Sequence, residues 1–268
     1  QAEDGIRDHC VTGVQTCALP IFDPSKWRPV AITSNLLKLF EQILLNQLVP
    51  YLEDNDLIPT TQHGFRSRHS TITALLPDID WIASAMDRSM PVAQLQLDFT
   101  AAFDAMSIHA VCRQLKDFGI MGEFGHMIAL WLEDREQVVV VNGVESDKRT
   151  LTSGCAQGSC MGPICFLIFI ASLANNIEES RTTFYADDSK LSTIIDGEHA
   201  INAYKTDANK ADVWAQQNKM RFSAGKSALM VFGRAPDLVI RVGGEDVVPT
   251  DKAEDLGVLV DEIGRAHV

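Results

Sequence analysis

Two adjacent carboxylates, Asp187 and Asp188, follow Phe184-Tyr185-Ala186, and a third, Asp98, stands far upstream between Leu97 and Phe99. Acids arranged in this way, one from a strand and two from a hairpin turn, suit chemistry run by a pair of divalent ions. Joining a 3′-hydroxyl to a nucleoside triphosphate needs two such ions about 3.5–4 Å apart, one activating the attacking oxygen and one stabilising the leaving pyrophosphate. Magnesium takes a few carboxylates and fills its remaining positions with waters and substrate phosphates. A Tyr-x-Asp-Asp string alone is weak, because any hairpin can carry two solvated aspartates.

The elements that must hold these acids are legible in the hydrophobic pattern. From Val92 to Phe99 the residues alternate, with Ala93, Leu95, Leu97 and Phe99 on one face and Gln94, Gln96 and Asp98 on the other, so Asp98 lies on the polar face of a strand. Ser34 is a cap for a helix with Leu37, Phe40, Leu44 and Leu48 at helical spacing, whose end Pro50 disrupts. Ser107 caps a second helix with Ile108, Val111, Leu115 and Phe118 inward and Gly119 as its stop. The run Val138 to Val144 with Asn142-Gly143 is a hairpin signal, and a helix follows near Pro163 to Ile177. After the Tyr185 hairpin comes a helix with Ile201, Tyr204, Ala208, Ala211 and Trp214 on one face. This order predicts an α+β domain with an antiparallel sheet backed by helices.

Both ends read differently from the middle. Residues 1–21 resemble the in-frame translation of a sequencing-library adapter, and residues 262–268 the complementary adapter. Both are set aside as non-native segments, which leaves residues 22–261 as a fragment open at both ends. The net charge of the whole chain is −13, and of the remainder −11 once Glu3, Asp4, Asp8, Glu262, Arg7 and Arg265 are removed. A nucleic-acid binder normally carries a basic footprint, so this segment alone is expected to hold nucleic acid poorly. Cys155, Cys160 and Cys165 are evenly spaced, but without a Cys-x-x-Cys pair or a nearby histidine they read as buried thiols rather than a zinc site. The most apolar run, Ile164 to Ala174, is too short to span a membrane.

Six blocks, in order and spacing, resemble the reverse transcriptase domain of non-LTR (LINE-like) retrotransposons: Trp27-Arg28-Pro29-Val30-Ala31-Ile32, Gln62-His63-Gly64-Phe65-Arg66, Leu97-Asp98-Phe99 through Asp104, Ser153 through Pro163, Phe184 through Asp188, and Phe222 through Ser227. A weaker seventh is Leu256-Gly257-Val258. The resemblance implies the fingers and palm of a right-hand polymerase, with the thumb missing and Asp98, Asp187 and Asp188 at the open face of the palm. It implies metal binding by Asp98 and Asp187, a weaker or indirect share for Asp188, and assistance from the backbone carbonyl of Phe99. Phe103 matches the steric gate that rejects a ribose 2′-hydroxyl; the alternative is an ordinary core phenylalanine. Gln157 and Gly158 would approach the incoming nucleotide or the template, in a loop where Ala156 replaces the usual proline.

By the same resemblance Arg66 would clamp phosphate oxygens, or stay a solvated surface arginine, and Asp104 would make a structural hydrogen bond or cap a turn. Lys226 takes the place of a general acid for the leaving pyrophosphate, and as a protonated amine it can donate at neutral pH. A Walker phosphate loop at Gly225-Lys226-Ser227 loses most of its weight because the first glycine of that motif is missing. Asp255 stands where a tyrosine usually precedes the primer grip, and a carboxylate beside a primer phosphate is unfavourable. The implied cofactors are two Mg²⁺ or Mn²⁺ ions. The implied partners are an RNA template, a DNA or RNA primer and deoxynucleoside triphosphates, with no membrane, in the nucleus of a eukaryotic host. The competing readings are a catalytically decayed element acting at most as an RNA-binding domain, and another two-metal enzyme on a palm-like fold such as a nucleotide cyclase.

Overall fold

The computed structural model describes residues 14–16, 29–31, 33–133, 135–141, 144–234, 237–261 and 266–267. Trp27, Arg28, Ile32, Asn142 and Gly143 lie outside them. Strand β1 (Val14–Thr16) pairs antiparallel with β2 (Pro29–Ala31), and the Ala31 amide donates to the Gln157 carbonyl.

Helix α1 (Asn35–Asp54) starts as expected, with the Ser34 hydroxyl accepting from the Leu37 amide at 3.2 Å. It does not stop at Pro50. The ring lacks only one N–H so near the C-terminus, and the last turn is anchored by Leu52, which is buried. The buried face is Leu44, Leu45, Leu48 and Leu52, whereas Phe40 is exposed. Helix α2 (Thr71–Asp87) has a capping box at Ser70 and Thr73 and runs through Pro77.

Strand β3 (Val92–Leu97) leads into the short helix α3 (Ala102–Ala105), then α4 (Ile108–Asp117) and α5 (Gly122–Leu132). Helix α4 is capped by Ser107 and stopped at Gly119, whose φ of +76° suits glycine. Two small ladders follow, β4 (Glu136–Gln137) with β7 (Arg149–Thr150), and β5 (Val140–Val141) with β6 (Val144–Glu145). Helix α6 (Met161–Ala174) is buried nearly all round, as its continuous apolar run requires.

Next come β8 (Arg181–Tyr185), β9 (Asp188–Ile194), α7 (Glu198–Gln217) and β10 (Ala228–Phe232). The chain then makes β11 (Ile240–Val242) with β12 (Glu245–Val247), and β13 (Lys252–Asp255) with β14 (Val258–Asp261), which also pairs with β15 (Ala266–His267).

The central sheet has the order β10-β3-β9-β8, antiparallel throughout. Ala93, Leu95, Leu97, Leu191 and Leu229 face the main core, built with α1, α4, α6 and α7. The polar face of β3 is also covered. There Val92, Met230 and Phe232 pack with Ile82 and Ala85 of α2, Ala253 and Val260, and the buried Gln94 amide donates to Ser192 Oγ at 3.2 Å. Only the Asp98 end of that face opens. Among the described residues no helix is long and apolar enough to cross a membrane.

Candidate active site

Sheet register brings the acids together. Leu97 sits opposite Ser189, and Gln96 lies opposite both Lys190 and Ala228. One residue further along, Asp98 therefore lies between Asp188 on one side and the Lys226 segment on the other. Lys226 Nζ stands 3.6 Å from Asp98 Oδ1. The Asp98 backbone is held at both ends: its carbonyl accepts from the Ser223 amide at 2.8 Å, and its amide donates to Ser227 Oγ at 3.4 Å. The block Phe222 to Ser227 is thus a buttress for Asp98 as well as the carrier of Lys226.

Phe99 is buried and stacks on Phe222, with ring centroids 4.2 Å apart. The bonds flanking this pair run from Ser223 N to Asp98 O and from Thr100 N to Arg221 O. Such a non-hydrogen-bonded pairing turns the carbonyl of Phe99 itself away from the 221–223 segment.

Asp188, the first residue of β9, pairs with Tyr185, and Ala186 and Asp187 form the two-residue turn between β8 and β9. Its first residue, Ala186, has φ +57°, the sign that primed hairpin turns demand. Ala is a poor residue for this conformation, which costs about 1–2 kcal/mol. Burial, then the charges of Asp187, Asp98 and Asp255, push the Asp188 carboxyl up to about 6.

Asp188 opens onto a cleft of about 350 Å³ lined also by Asp98, Lys190, Lys226, Glu254 and Asp255 among others, whereas Asp187 is not part of its lining. Acids outnumber bases in that set, so the cleft attracts cations. Asp98 Oδ1 makes no hydrogen bond, with the Lys226 ammonium at 3.6 Å as its partner charge, so it can still accept a closer cation. Among the described residues no three His, Cys, Asp or Glu side chains are grouped so that they could hold a metal ion, so Asp98, Asp187 and Asp188 are not drawn together as a three-carboxylate site. The two carboxylates at the cleft, Asp98 and Asp188, would suit only an ion that takes most of its ligands from water and substrate, as Mg²⁺ does.

Asp255 is not an unpaired carboxylate facing the cleft. It is buried beside Lys190, whose Nζ lies 2.9 Å from Asp255 Oδ2 and 3.0 Å from Asp78 Oδ2. Asp78 also meets Arg181 and accepts from Thr183 Oγ1 at 2.8 Å. The electrostatic objection to an acid at this position is largely removed by that lysine. The turn that follows, Leu256-Gly257, has positive φ at both residues, +50° and +84°.

Phe103 is half-buried. It stacks on Phe166 at 4.6 Å and meets the exposed Phe65 edge-on at 6.2 Å. The loop of Ser153 to Gln157 fixes it from below: Cys155 N donates to Phe103 O at 3.0 Å, and Ser153 Oγ to Asp104 O at 3.0 Å. Gly154 must lack a side chain here, since a Cβ would lie 2.7 Å from Asp104 O. Gln157 Nε2 donates to Asp104 Oδ1 at 2.8 Å, the structural bond expected of Asp104. Gly158 is exposed with φ +97°.

Arg66 is placed otherwise than a free phosphate clamp would be. Its guanidinium forks onto Glu53 and donates to the carbonyls of Pro59 and Gln62 at 2.9 and 3.2 Å. Cys155 and Cys165 are buried, with burial pushing the Cys155 thiol up to about 11, whereas Cys160 is exposed.

Two supports owe their roles to tertiary approach. Lys190 belongs to no motif, and only the approach of α2 and β13 makes it a buried counter-ion. Gln62 is fully buried beneath Ala186, to which it is bonded across 124 residues of chain.

Comparison with known proteins agrees with this geometry. Residues 19–260 match the family described as reverse transcriptase (RNA-dependent DNA polymerase). The chain is 27% identical over 254 residues to the RNA-directed DNA polymerase from mobile element jockey of Drosophila funebris, covering 89% of this chain and 27% of that protein. It is 27% identical over 174 residues to the retrovirus-related Pol polyprotein from type-1 retrotransposable element R2 of Popillia japonica, covering 63% of this chain and 24% of that one. The chain thus spans about a quarter of the length of these relatives. Apo telomerase from Candida tropicalis, truncated from its C-terminal domain, shares the fold with a TM-score of 0.62 at 11% identity, over 94% of this chain and 53% of that one.

Proposed function

We propose, on the premise that this chain belongs to the reverse transcriptase (RNA-dependent DNA polymerase) family, that it is the fingers and palm of a non-LTR retroelement polymerase. Its reaction would be the extension of a DNA or RNA primer on an RNA template from deoxynucleoside triphosphates, in the nucleus of a eukaryotic host. The observation that carries this reading is the meeting of Asp98, Asp188 and Lys226 at one open end of the sheet, where Asp98 Oδ1 makes no hydrogen bond and has Lys226 Nζ at 3.6 Å.

Asp98 and Asp187 would hold two Mg²⁺ or Mn²⁺ ions, with Asp188 as a weaker ligand and the Phe99 carbonyl assisting. When bound, such ions neutralise the phosphates and activate the primer hydroxyl. The primer 3′-hydroxyl would lose its proton to solvent as its oxygen bonds the α-phosphorus and the bond to pyrophosphate breaks. Lys226 supplies a proton to that pyrophosphate. Its pairing with Asp98 joins two solvent-open side chains and is worth at most about 1 kcal/mol, so the ammonium can swing to a phosphate at little cost.

Phe103, stacked on Phe166 and fixed by the 153–157 loop, would lie against the incoming sugar and exclude a 2′-hydroxyl. Gln157 and Gly158 border the same loop and would face the nucleotide or template. Arg66, with its fork spent on Glu53, would act through the loop it braces rather than on phosphate.

The test is primer extension on an RNA template by residues 22–261 joined to a thumb. Extension should require Mg²⁺ or Mn²⁺, and Asp98→Asn or Asp187→Asn should nearly abolish it. Persistent extension in either variant would refute the assignment of these acids.

A further inference from the structure

The turn that carries Asp187 and Asp188 is strained at Ala186, and its backbone is held by a side chain from a distant loop. Gln62 Oε1 accepts from the Ala186 amide at 2.9 Å and from the Gly64 amide at 2.7 Å, while Gln62 Nε2 lies 3.3 Å from the Ala186 carbonyl. Both backbone groups of the strained residue are thus met by one buried amide. The loop is itself zipped to β8, because Phe184 N donates to Thr61 O at 2.9 Å and His63 N to Phe184 O at 2.8 Å. Gly64 lies so close that a Cβ would come within 2.2 Å of Ala186 N. Arg66 closes the arrangement from outside by donating to the carbonyls of Pro59 and Gln62.

We infer that Gln62 is a positioning residue, which fixes the Ala186 turn in its left-handed conformation and so sets where the carboxylates of Asp187 and Asp188 stand. This inference rests on the polymerase reading above and deepens it: the Gln62-His63-Gly64-Phe65-Arg66 block acts on the metal-binding turn from behind. A left-handed alanine persists only where its surroundings over-determine it, and here the two contacts of Gln62 do so. Glycine adopts the same φ without strain, so Ala186→Gly lessens the need for the clamp. A residue that merely filled space would show no such compensation.

The experiment has two arms. In the 268-residue chain, amide hydrogen exchange is compared for the native sequence and Gln62→Met, which keeps the length and loses the polar atoms. The Ala186 and Gly64 amides should exchange about 2- to 12-fold faster, the factor of one lost hydrogen bond of ordinary strength, while β3 and the centre of β9 stay protected. In the thumb-bearing polypeptide, Gln62→Met should lower kcat for single-nucleotide addition by about 10- to 100-fold, the scale of a sub-ångström to ångström misplacement of reacting groups. KM for the nucleotide should change much less, and Gln62→Met/Ala186→Gly should recover part of kcat at the same melting temperature. If Gln62→Met does not fold, Gln62→Asn serves: it stays polar but is one methylene too short to reach both amides, and the same pattern is expected.

Unchanged exchange at Ala186, or faster exchange with unchanged kcat, overturns the inference while native extension that Asp187→Asn abolishes leaves the polymerase reading intact. A kcat loss that Ala186→Gly does not relieve also overturns it, since Gln62 would then be acting by some route other than the turn. Native polypeptide that shows no metal-dependent extension sinks the polymerase reading and, with it, the catalytic consequence drawn for Gln62; the exchange arm still reports separately whether the clamp holds the turn.

Discussion

Lys190→Met should be among the most damaging single substitutions in the chain, and the structure sets its size. Lys190 is about 5% exposed and lies within 3.0 Å of two carboxylates that are themselves nearly sealed, Asp78 and Asp255. Breaking a buried pair by removing one partner typically costs about 3–5 kcal/mol, because the other charge is left uncompensated. Asp78 keeps Arg181 and Thr183, so the orphan is chiefly Asp255, and the lower end, about 3 kcal/mol, applies. At about 2–4 °C per kcal/mol for a domain of this size, the melting temperature should fall by about 6–12 °C at pH 7.5. Acid should shrink the deficit. Burial already raises the Asp255 carboxyl, and Lys190 is what lowers it, so the variant's folded-state pKa rises further above the unfolded value. A group raised in this way gains stability for the fold as it takes up its proton, so the gap between variant and native chain narrows as pH falls from 7.5 towards 5. Thermal melts at both pH values read this directly, and Lys190→Met/Asp255→Asn should recover most of the loss at pH 7.5. A drop under about 2 °C, or one equal at both pH values, would refute this account of the network.

Other substitutions report on the site itself. Gly64→Ala inserts a Cβ where the Ala186 backbone stands and should cut primer extension by about 100-fold, the scale expected when reacting groups are misplaced by an ångström; extension at the native rate would show that the turn moves freely. Phe103→Ala should cost about 2 kcal/mol of stability, less than a fully buried phenylalanine, and raise the ratio of ribonucleotide to deoxynucleotide kcat/KM; an unchanged ratio would make Phe103 a packing residue only. Because Asp188 is raised to about 6, protons should compete with divalent ions below that pH, weakening Mn²⁺ binding by up to about tenfold per pH unit. Titration at pH 5 and 7.5 checks this, and Asp188→Asn should flatten the dependence.

The alternation of Val92 to Phe99 was enough to put Asp98 on the polar face of a strand, and the caps at Ser34 and Ser107 were enough to start α1 and α4 where the structure has them. These are local signals, carried by residues a few positions apart. Helix α2 escaped notice because Pro77 and Asp78 interrupt its apolar pattern, although Asp78 is buried for the sake of Lys190 more than a hundred residues away. Helix α5 contains glycines and lacks a side-chain cap, and Pro50 read as an end where burial of Leu52 carries α1 onward. In the site the acids, Lys226 and Phe103 were legible as types at known spacing. The Gln62 clamp, the Ser223 and Ser227 bonds to Asp98 and the commitment of Arg66 to Glu53 depend on tertiary approach, for which no short-range pattern exists.

Strand β3 lies at the middle of the sheet, yet both of its neighbours are made long after it. Asp98 waits for Ser227, 129 residues downstream, and Ala186 is clasped by a loop synthesised 124 residues earlier. Contacts of such separation form slowly, since the loop-closure entropy comes before any reward. At about 5–20 residues per second on the ribosome, β3 spends several seconds with both edges unpaired. During that interval the helices α1 to α5 can form on their own local bonds while the acids have no common site. A polypeptide that stops before Ser223 therefore lacks both bonds that hold the Asp98 backbone, however completely its helices have folded.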